Sequence, residues 1–256
     1  MPATDGLYSF DFVSAANASP PLILIHGVGV THLSWPAEIR RLAGHDVYAL
    51  DLPGHGRSEG HGIQSISAHV QVVADWMDSK KLYRGFFIGH SMGGAIALEM
   101  CRLHPQKISG LAVIASGAKF LFPHQLVENA ANPATFPAAI EELRRLYFSA
   151  QTPASLQTLA GGRLSEVRSS ILYADLLACS NFDMMDSLET IARPTLILCG
   201  ADDQLTPVRL SQYLATKIPG AQLEIVPEAG HMVIMEKPRE VATRLENFLN
   251  ENRWRL

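Results

Sequence analysis

Four short runs in the first part of the chain, Leu22–Ile25, Val47–Leu50, Phe86–Ile88 and Leu111–Ala115, are strand-length and almost wholly apolar. Runs that are apolar throughout, instead of alternating, mark strands covered on both faces, which predicts a parallel sheet with helices on either side. Between them, Ser67–Ser79 sets Val70, Val73, Ala74 and Met77 at helical spacing. A second helix runs from Gly93 through Ala97, Leu98 and Cys101 to about Leu103, ahead of Pro105. The opening Leu7–Val13 alternates, as an antiparallel edge ribbon does.

The pattern changes after Ser116. Residues 118–190 hold no clear strand and read as amphipathic helices: Thr135–Ser149 aligns Phe136, Ile140, Leu143 and Tyr147, and Leu164–Ala178 aligns Leu164, Val167, Ile171 and Ala174. Alternation of strand and helix resumes with Thr195–Cys199, a helix near Pro207–Lys217, Leu223–Val226 and a closing helix near Pro238–Asn250. The expected organisation is one α/β core made of residues 1–117 and 191–256, interrupted by a helical cap or lid at 118–190.

Composition narrows the class. The chain has 256 residues, 47% hydrophobic and 18% charged, enough to bury a sizeable core without a disulfide or metal staple. A formal charge of −4, from 21 basic and 25 acidic residues, argues against nucleic acid as a partner. The apolar runs are strand-sized, so no membrane span is expected. Met1–Gly6 shows neither a basic nor an apolar leader region. Cys101, Cys179 and Cys199 are odd in number and widely spaced, which suits a reducing compartment and a cytoplasmic location.

The candidate chemistry centres on Gly89-His90-Ser91-Met92-Gly93, a G-x-S-x-G placed between an apolar strand and a helix. A sharp strand-to-helix turn exposes the serine hydroxyl at a helix N-terminus, and flanking glycines relieve the crowding. Ser91 is therefore the candidate nucleophile. A serine needs a base and a group that orients the base. His231, in Pro227-Glu-Ala-Gly-His-Met232 after a strand, is the candidate base. Asp203, in Gly200-Ala-Asp-Asp-Gln-Leu-Thr-Pro207, is the candidate acid, with Asp202 left as a turn or supporting residue. The Met92 and Val28 amides are candidate oxyanion donors, the latter from His26-Gly-Val-Gly29. His26 reads as a structural residue pinning that loop.

Taken with Asp51-Leu-Pro-Gly-His-Gly-Arg-Ser58, these segments resemble the α/β-hydrolase superfamily, and within it the small capped serine esterases. The resemblance implies a mostly parallel eight-stranded sheet flanked by helices, an inserted helical cap, and a Ser–His–Asp acyl-enzyme mechanism with no metal or organic cofactor. Candidate pocket residues are Gly27, His90, Phe120, Phe122, Met184 and Met232. Residues 118–190 carry five basic and eight acidic side chains. That balance favours small to medium uncharged esters over a carrier-protein partner, in a monomer or homodimer. The same triad also serves thioesterases, lactonases, carbon–carbon bond hydrolases, acyltransferases and cofactor-free perhydrolases or haloperoxidases. A slow-turnover ligand receptor is the reading from another class.

Overall fold

Successive side chains of the central strands point to opposite faces of one sheet, and each face has its own core. Ile23, Ile25, Phe87, Leu111, Val113 and Ile197 feed one apolar cluster. Leu22, Leu24, Phe86, Ile88, Leu196 and Leu198 feed the other. In the computed structural model, which describes residues 6–14 and 19–252, seven strands make this sheet. They are β1 (Ser9–Phe12), β2 (Leu22–Ile25), β3 (Val47–Leu50), β4 (Gly85–His90), β5 (Ile108–Ile114), β6 (Thr195–Gly200) and β7 (Gln222–Val226). Their order is β1-β3-β2-β4-β5-β6-β7, with β1 antiparallel to β3 and all other pairings parallel.

Ten helices accompany the strands: α1 (Ala37–Arg40), α2 (Ile66–Ser79), α3 (Met92–Leu103), α4 (His124–Ala131), α5 (Phe136–Tyr147), α6 (Ala154–Ser165), α7 (Ser169–Ser180), α8 (Val208–Lys217), α9 (Val233–Glu236) and α10 (Pro238–Glu251). Val70 and Val73 of α2, Ile96 and Leu98 of α3 and Leu214 of α8 pack on the first face. Ile39 of α1, with Val241, Leu245 and Phe248 of α10, covers the second. α2 begins cleanly because the Ser65 hydroxyl accepts the Ala68 amide as an N-cap. No helix among the described residues is long and apolar enough to cross a membrane.

The expected fold class stands, with differences in detail. Seven strands are described where the resemblance implies eight: ahead of Leu22 a single antiparallel strand, β1, closes that edge. The expected helix Leu164–Ala178 is two helices, because Arg168 is extended (φ −70°, ψ 138°) between α6 and α7. The apolar spacing runs unbroken across that bend, so periodicity alone could not reveal it. Helix α4 was not expected. Met1–Asp5, on which the reading of the N-terminus largely rests, lie outside the described residues.

Two glycines test this packing in opposite directions. A Cβ on Gly93 would overlap the Ile25 carbonyl, whereas a Cβ on the exposed Gly162 of α6 would meet nothing within 4 Å. Gly93→Ala is expected to cost at least about 1–3 kcal/mol of stability through overpacking. Gly162→Ala is expected to add about 0.5–1 kcal/mol through helix propensity. Urea unfolding of both variants checks the pair of signs.

Candidate active site

The carboxyl ends of β4, β6 and β7 carry the residues singled out in the sequence. Ser91 follows β4 directly and takes φ 54°, ψ −117°, a conformation costly for any residue with a Cβ. Its amide donates to Ile114 O at 2.9 Å, and its carbonyl accepts the Gly94 amide at 2.9 Å and the Ser116 hydroxyl at 2.8 Å. Gly89 makes the turn possible, since a Cβ there would run into the backbone of Gly93. Gly27 backs onto the same residue: a Cβ on it would stand 2.9 Å from Ser91 Cβ. The Ser91 hydroxyl is buried and has no hydrogen-bond partner among the described residues.

His231 lies in the loop after β7, with Nδ1 3.0 Å from Asp203 Oδ2. Asp203 is buried in the loop after β6. Its Oδ1 accepts the Leu205 and Thr206 amides at 2.9 and 2.8 Å, and its Oδ2 accepts the Thr206 hydroxyl at 2.7 Å. Burial works to raise the pKa of this carboxyl, but His231 beside it and the Thr206 hydroxyl and amide outweigh burial and hold it below the ordinary carboxylate range. Nδ1 of His231 is thus committed to the carboxylate, leaving Nε2 as the nitrogen that could take a proton. The adjoining loop is tied by Glu236, which accepts the Gly230 amide at 2.9 Å. Asp202 stands apart from this pair and accepts the Ser149 hydroxyl at 2.7 Å.

His26 pins the 26–29 loop as expected. Its Nε2 accepts the Leu52 amide at 3.0 Å, which requires the neutral ring, and Nδ1 faces Gly27 O at 2.9 Å. Burial, reinforced by the nearby His55, pushes this imidazole down to about 3. Among the described residues neither the Val28 nor the Met92 amide has a protein acceptor.

No local signal in the sequence points to what holds the Val28–Gly29 peptide. Tyr147 of α5 donates its hydroxyl to Val28 O at 2.9 Å. Asp175 of α7 accepts the Gly29 amide at 2.9 Å. Both ends of one planar peptide unit are therefore gripped by side chains from the helical segment. Asp175 also accepts from His55 Nε2 at 2.9 Å, and His55 Nδ1 faces Pro53 O at 3.2 Å. Two acceptors around one imidazole favour its charged form. Burial opposes this, yet the Asp175 charge prevails, and the pKa of His55 lies above the ordinary value. Tyr147 further stacks its ring on His231 with centroids 5.5 Å apart. Thr206 was also missed, although its position three residues after Asp203 in a tight loop is a readable turn signal.

The pocket candidates scatter. A cavity of 460 Å³, bounded by Gly29–Ser34, Gly54–Ser58, Tyr147, residues 160–168 in part, Met232 and Met235, lies beside Tyr147, which stacks on His231; neither Ser91 nor His231 lines it. Of the six candidates only Met232 lines it. His90 lies behind Ser91, its Nε2 2.9 Å from His231 O. Phe120 stacks on Phe122 at 5.7 Å and tilts toward Phe182, so this group fills the interior of the helical segment. Met184 is buried in the same cluster. Apolar side chains in a four-helix insertion are needed first to hold the insertion together.

The pattern that defines the alpha/beta hydrolase family matches residues 22–244. Over 252 residues the chain is 29% identical to the dihydrolipoyllysine-residue acetyltransferase component of the acetoin cleaving system of Pseudomonas putida, covering 94% of this chain and 66% of that protein. It is 28% identical to the pimeloyl-[acyl-carrier protein] methyl ester esterase of Aromatoleum aromaticum, covering 90% of this chain and 98% of that one. A thermophilic esterase from Thermogutta terrifontis, solved with malate bound, superposes with a TM-score of 0.86 at 23% identity over 98% of this chain and 96% of that chain.

The buried histidines make a pH prediction. Burial pushes His26 and His90 down to about 3 and His69 to about 4, whereas His55 moves up. The unfolded chain protonates each near 6.5, so the three depressed groups contribute stability that is complete above that pH and is lost on acidification. His55 contributes the reverse, stability present below 6.5 and lost as pH rises through its folded value. Three against one, acid destabilises. Each depressed histidine should cost about 2 kcal/mol between about pH 6.5 and 5. Urea titrations across that range check the slope.

Proposed function

The chain belongs to the alpha/beta hydrolase family, and on that basis we propose that it cleaves small to medium carboxylic esters through an acyl-enzyme on Ser91. The observation that carries this reading is the strained Ser91, its hydroxyl without a partner, on the sheet edge that also presents the His231–Asp203 pair. In this mechanism His231 Nε2 takes the Ser91 proton as Oγ bonds to the ester carbonyl carbon. The carbonyl π electrons move to oxygen, and the Val28 and Met92 amides hold the resulting oxyanion. Collapse breaks the bond to the alcohol oxygen, which leaves with the proton from His231. Water then adds to the acyl-enzyme by the same route and releases the acid. Asp203 stays ionised and holds the imidazolium in place.

Residues 1–117 and 191–256 supply the catalytic core in this proposal, and residues 118–190 form a cap over it. Ser91 and His231 are both buried, and Tyr147 of the helical segment stacks on His231, which supports that assignment. The cap also contributes to the chemistry. By gripping the Val28–Gly29 peptide, Tyr147 and Asp175 set the loop that presents the Val28 amide.

Ser91→Ala is expected to remove at least about 10³-fold of turnover on a chromogenic ester, with an unchanged circular-dichroism spectrum. Substantial turnover in that variant would sink the proposal. Asp203→Asn should lower kcat by about 10³–10⁴-fold, because the amide favours the wrong imidazole tautomer.

Tyr147→Phe keeps the ring over His231 but cannot donate to Val28 O. It should lower kcat about threefold to tenfold, the worth of one hydrogen bond, with little change in KM. An unchanged kcat would show that the Val28 peptide does not need this grip.

A further inference from the structure

The cavity beside the site is walled at one end by Tyr147, whose ring stacks on His231, and by Met232, the next residue in the chain. Ser91 and His231 do not themselves line it, and a substrate extending from them past Tyr147 and Met232 would meet Arg57, Arg163 and Arg168, which do. None of the three has a carboxylate within salt-bridge distance among the described residues. Arg163 reaches across to Leu33 O at 3.1 Å through one terminal nitrogen. Arg168 reaches Gly54 O at 3.2 Å and Gly60 O at 3.3 Å, also through one terminal nitrogen. Each guanidinium is thereby fixed in place by neutral carbonyls while its charge stays uncompensated and its other nitrogens stay available. Such pre-orientation is what forked recognition of a carboxylate or phosphate needs.

The surroundings keep this rim positive. Arg57 uses one nitrogen on the Tyr8 hydroxyl, again a neutral partner. Arg40, behind the rim, is pushed down by burial and then by the like charges of Arg41 and Arg163. The opposing charge lining the cavity is Glu166, which is exposed. Most other acids of 118–190 are engaged elsewhere. Glu141 pairs with Arg144, Glu142 with Arg145, Asp183 with Lys119 and Glu189 with Lys217. Asp175 is buried behind the cavity wall, bonded to the lining residues His55 and Gly29. Of the acids of 118–190, Glu166 is the one whose side chain belongs to the cavity lining.

We propose that this cavity binds an anionic group, carboxylate or phosphate, on the ester substrate, with Arg163 and Arg168 as the specificity-determining residues. This rests on the ester-hydrolase reading above and adds the substrate class to it. The anionic group lies distal to the scissile ester, so the substrates are half-esters of diacids or phosphate-bearing esters.

The test compares hydrolysis by the full chain of a linear dicarboxylic acid monomethyl ester, a terminally phosphorylated analogue, and the methyl ester of a monocarboxylic acid of equal length. At low salt the wild type should show a KM about tenfold lower for at least one anionic ester than for the neutral one. About 0.5 M salt should narrow that gap by screening. In Arg163→Gln/Arg168→Gln the KM ratio should fall toward one, and Arg163→Lys/Arg168→Lys should restore part of it. Equal KM values in the wild type, with turnover abolished by Ser91→Ala, would overturn the anion site and leave ester hydrolysis standing. A preference seen only when the acyl group is carried on an acidic protein would overturn it in favour of a protein-docking surface. Turnover of all three esters that survives Ser91→Ala would instead sink the hydrolase mechanism. The anion site is then read directly from the thermal shift of Ser91→Ala with the free dicarboxylate, present in the arginine form and lost in the glutamine form.

Discussion

The architecture of the site turns on one backbone conformation, the positive φ of Ser91 between β4 and α3. Strain of about 1–3 kcal/mol at such a position persists only where the surroundings over-determine it. Here they do so from several sides. Ile114 of the neighbouring strand accepts the Ser91 amide, and Ser116 binds its carbonyl. Helix α3 starts at once and draws Gly93 against the Ile25 carbonyl. The register of β2, β4 and β5 is therefore not separable from the position of one hydroxyl. A slip of a single residue would send Ile88 and its neighbours to the wrong core and would also move the serine.

A second dependence runs the other way, from the helical segment back to the sheet. Tyr147 and Asp175 lie on α5 and α7, yet their polar atoms meet on the peptide that follows β2. Asp175 is wholly buried, with the His55 imidazole and the Gly29 amide sharing its Oδ2 while Oδ1 has no partner among the described residues. Arg163 and Arg168 add ties from the same segment to the loops at Leu33 and Gly54. The helices between β5 and β6 thus support the loop geometry as well as cover it.

Much of this was legible before any coordinates. The apolar runs located the central strands, because a strand covered on both faces leaves no polar alternation to misread. Ser91, His231 and Asp203 could be singled out because tight turns after strands constrain neighbours in sequence, with glycine at fixed offsets; the structure puts each after a strand end and pairs His231 with Asp203. The Tyr147 and Asp175 contacts were not legible. They join residues more than a hundred positions apart, on helices whose own spacing does not record them. The bend at Arg168 was hidden for a related reason, since apolar periodicity continued through it. Phe120 and Phe122 do not line the cavity beside Tyr147 and pack against each other, an arrangement that sequence spacing alone does not record.

Where the helical segment joins the sheet also bears on how such a protein can change over time. It lies within the connection 115–194, between two strands that are neighbours in the sheet. Lengthening a connection is cheap, about 0.6 kcal/mol for each doubling, so the join sets few limits on what is inserted there. The limits come from the far side of the insert, where an acceptor must meet the Gly29 amide and a donor the Val28 carbonyl. An ancestral lineage could exchange one set of helices for another and acquire new ligands, with the strand-end chemistry intact, provided each replacement brought those two polar atoms back to the same peptide. Diversification is thereby confined to a channel two hydrogen bonds wide.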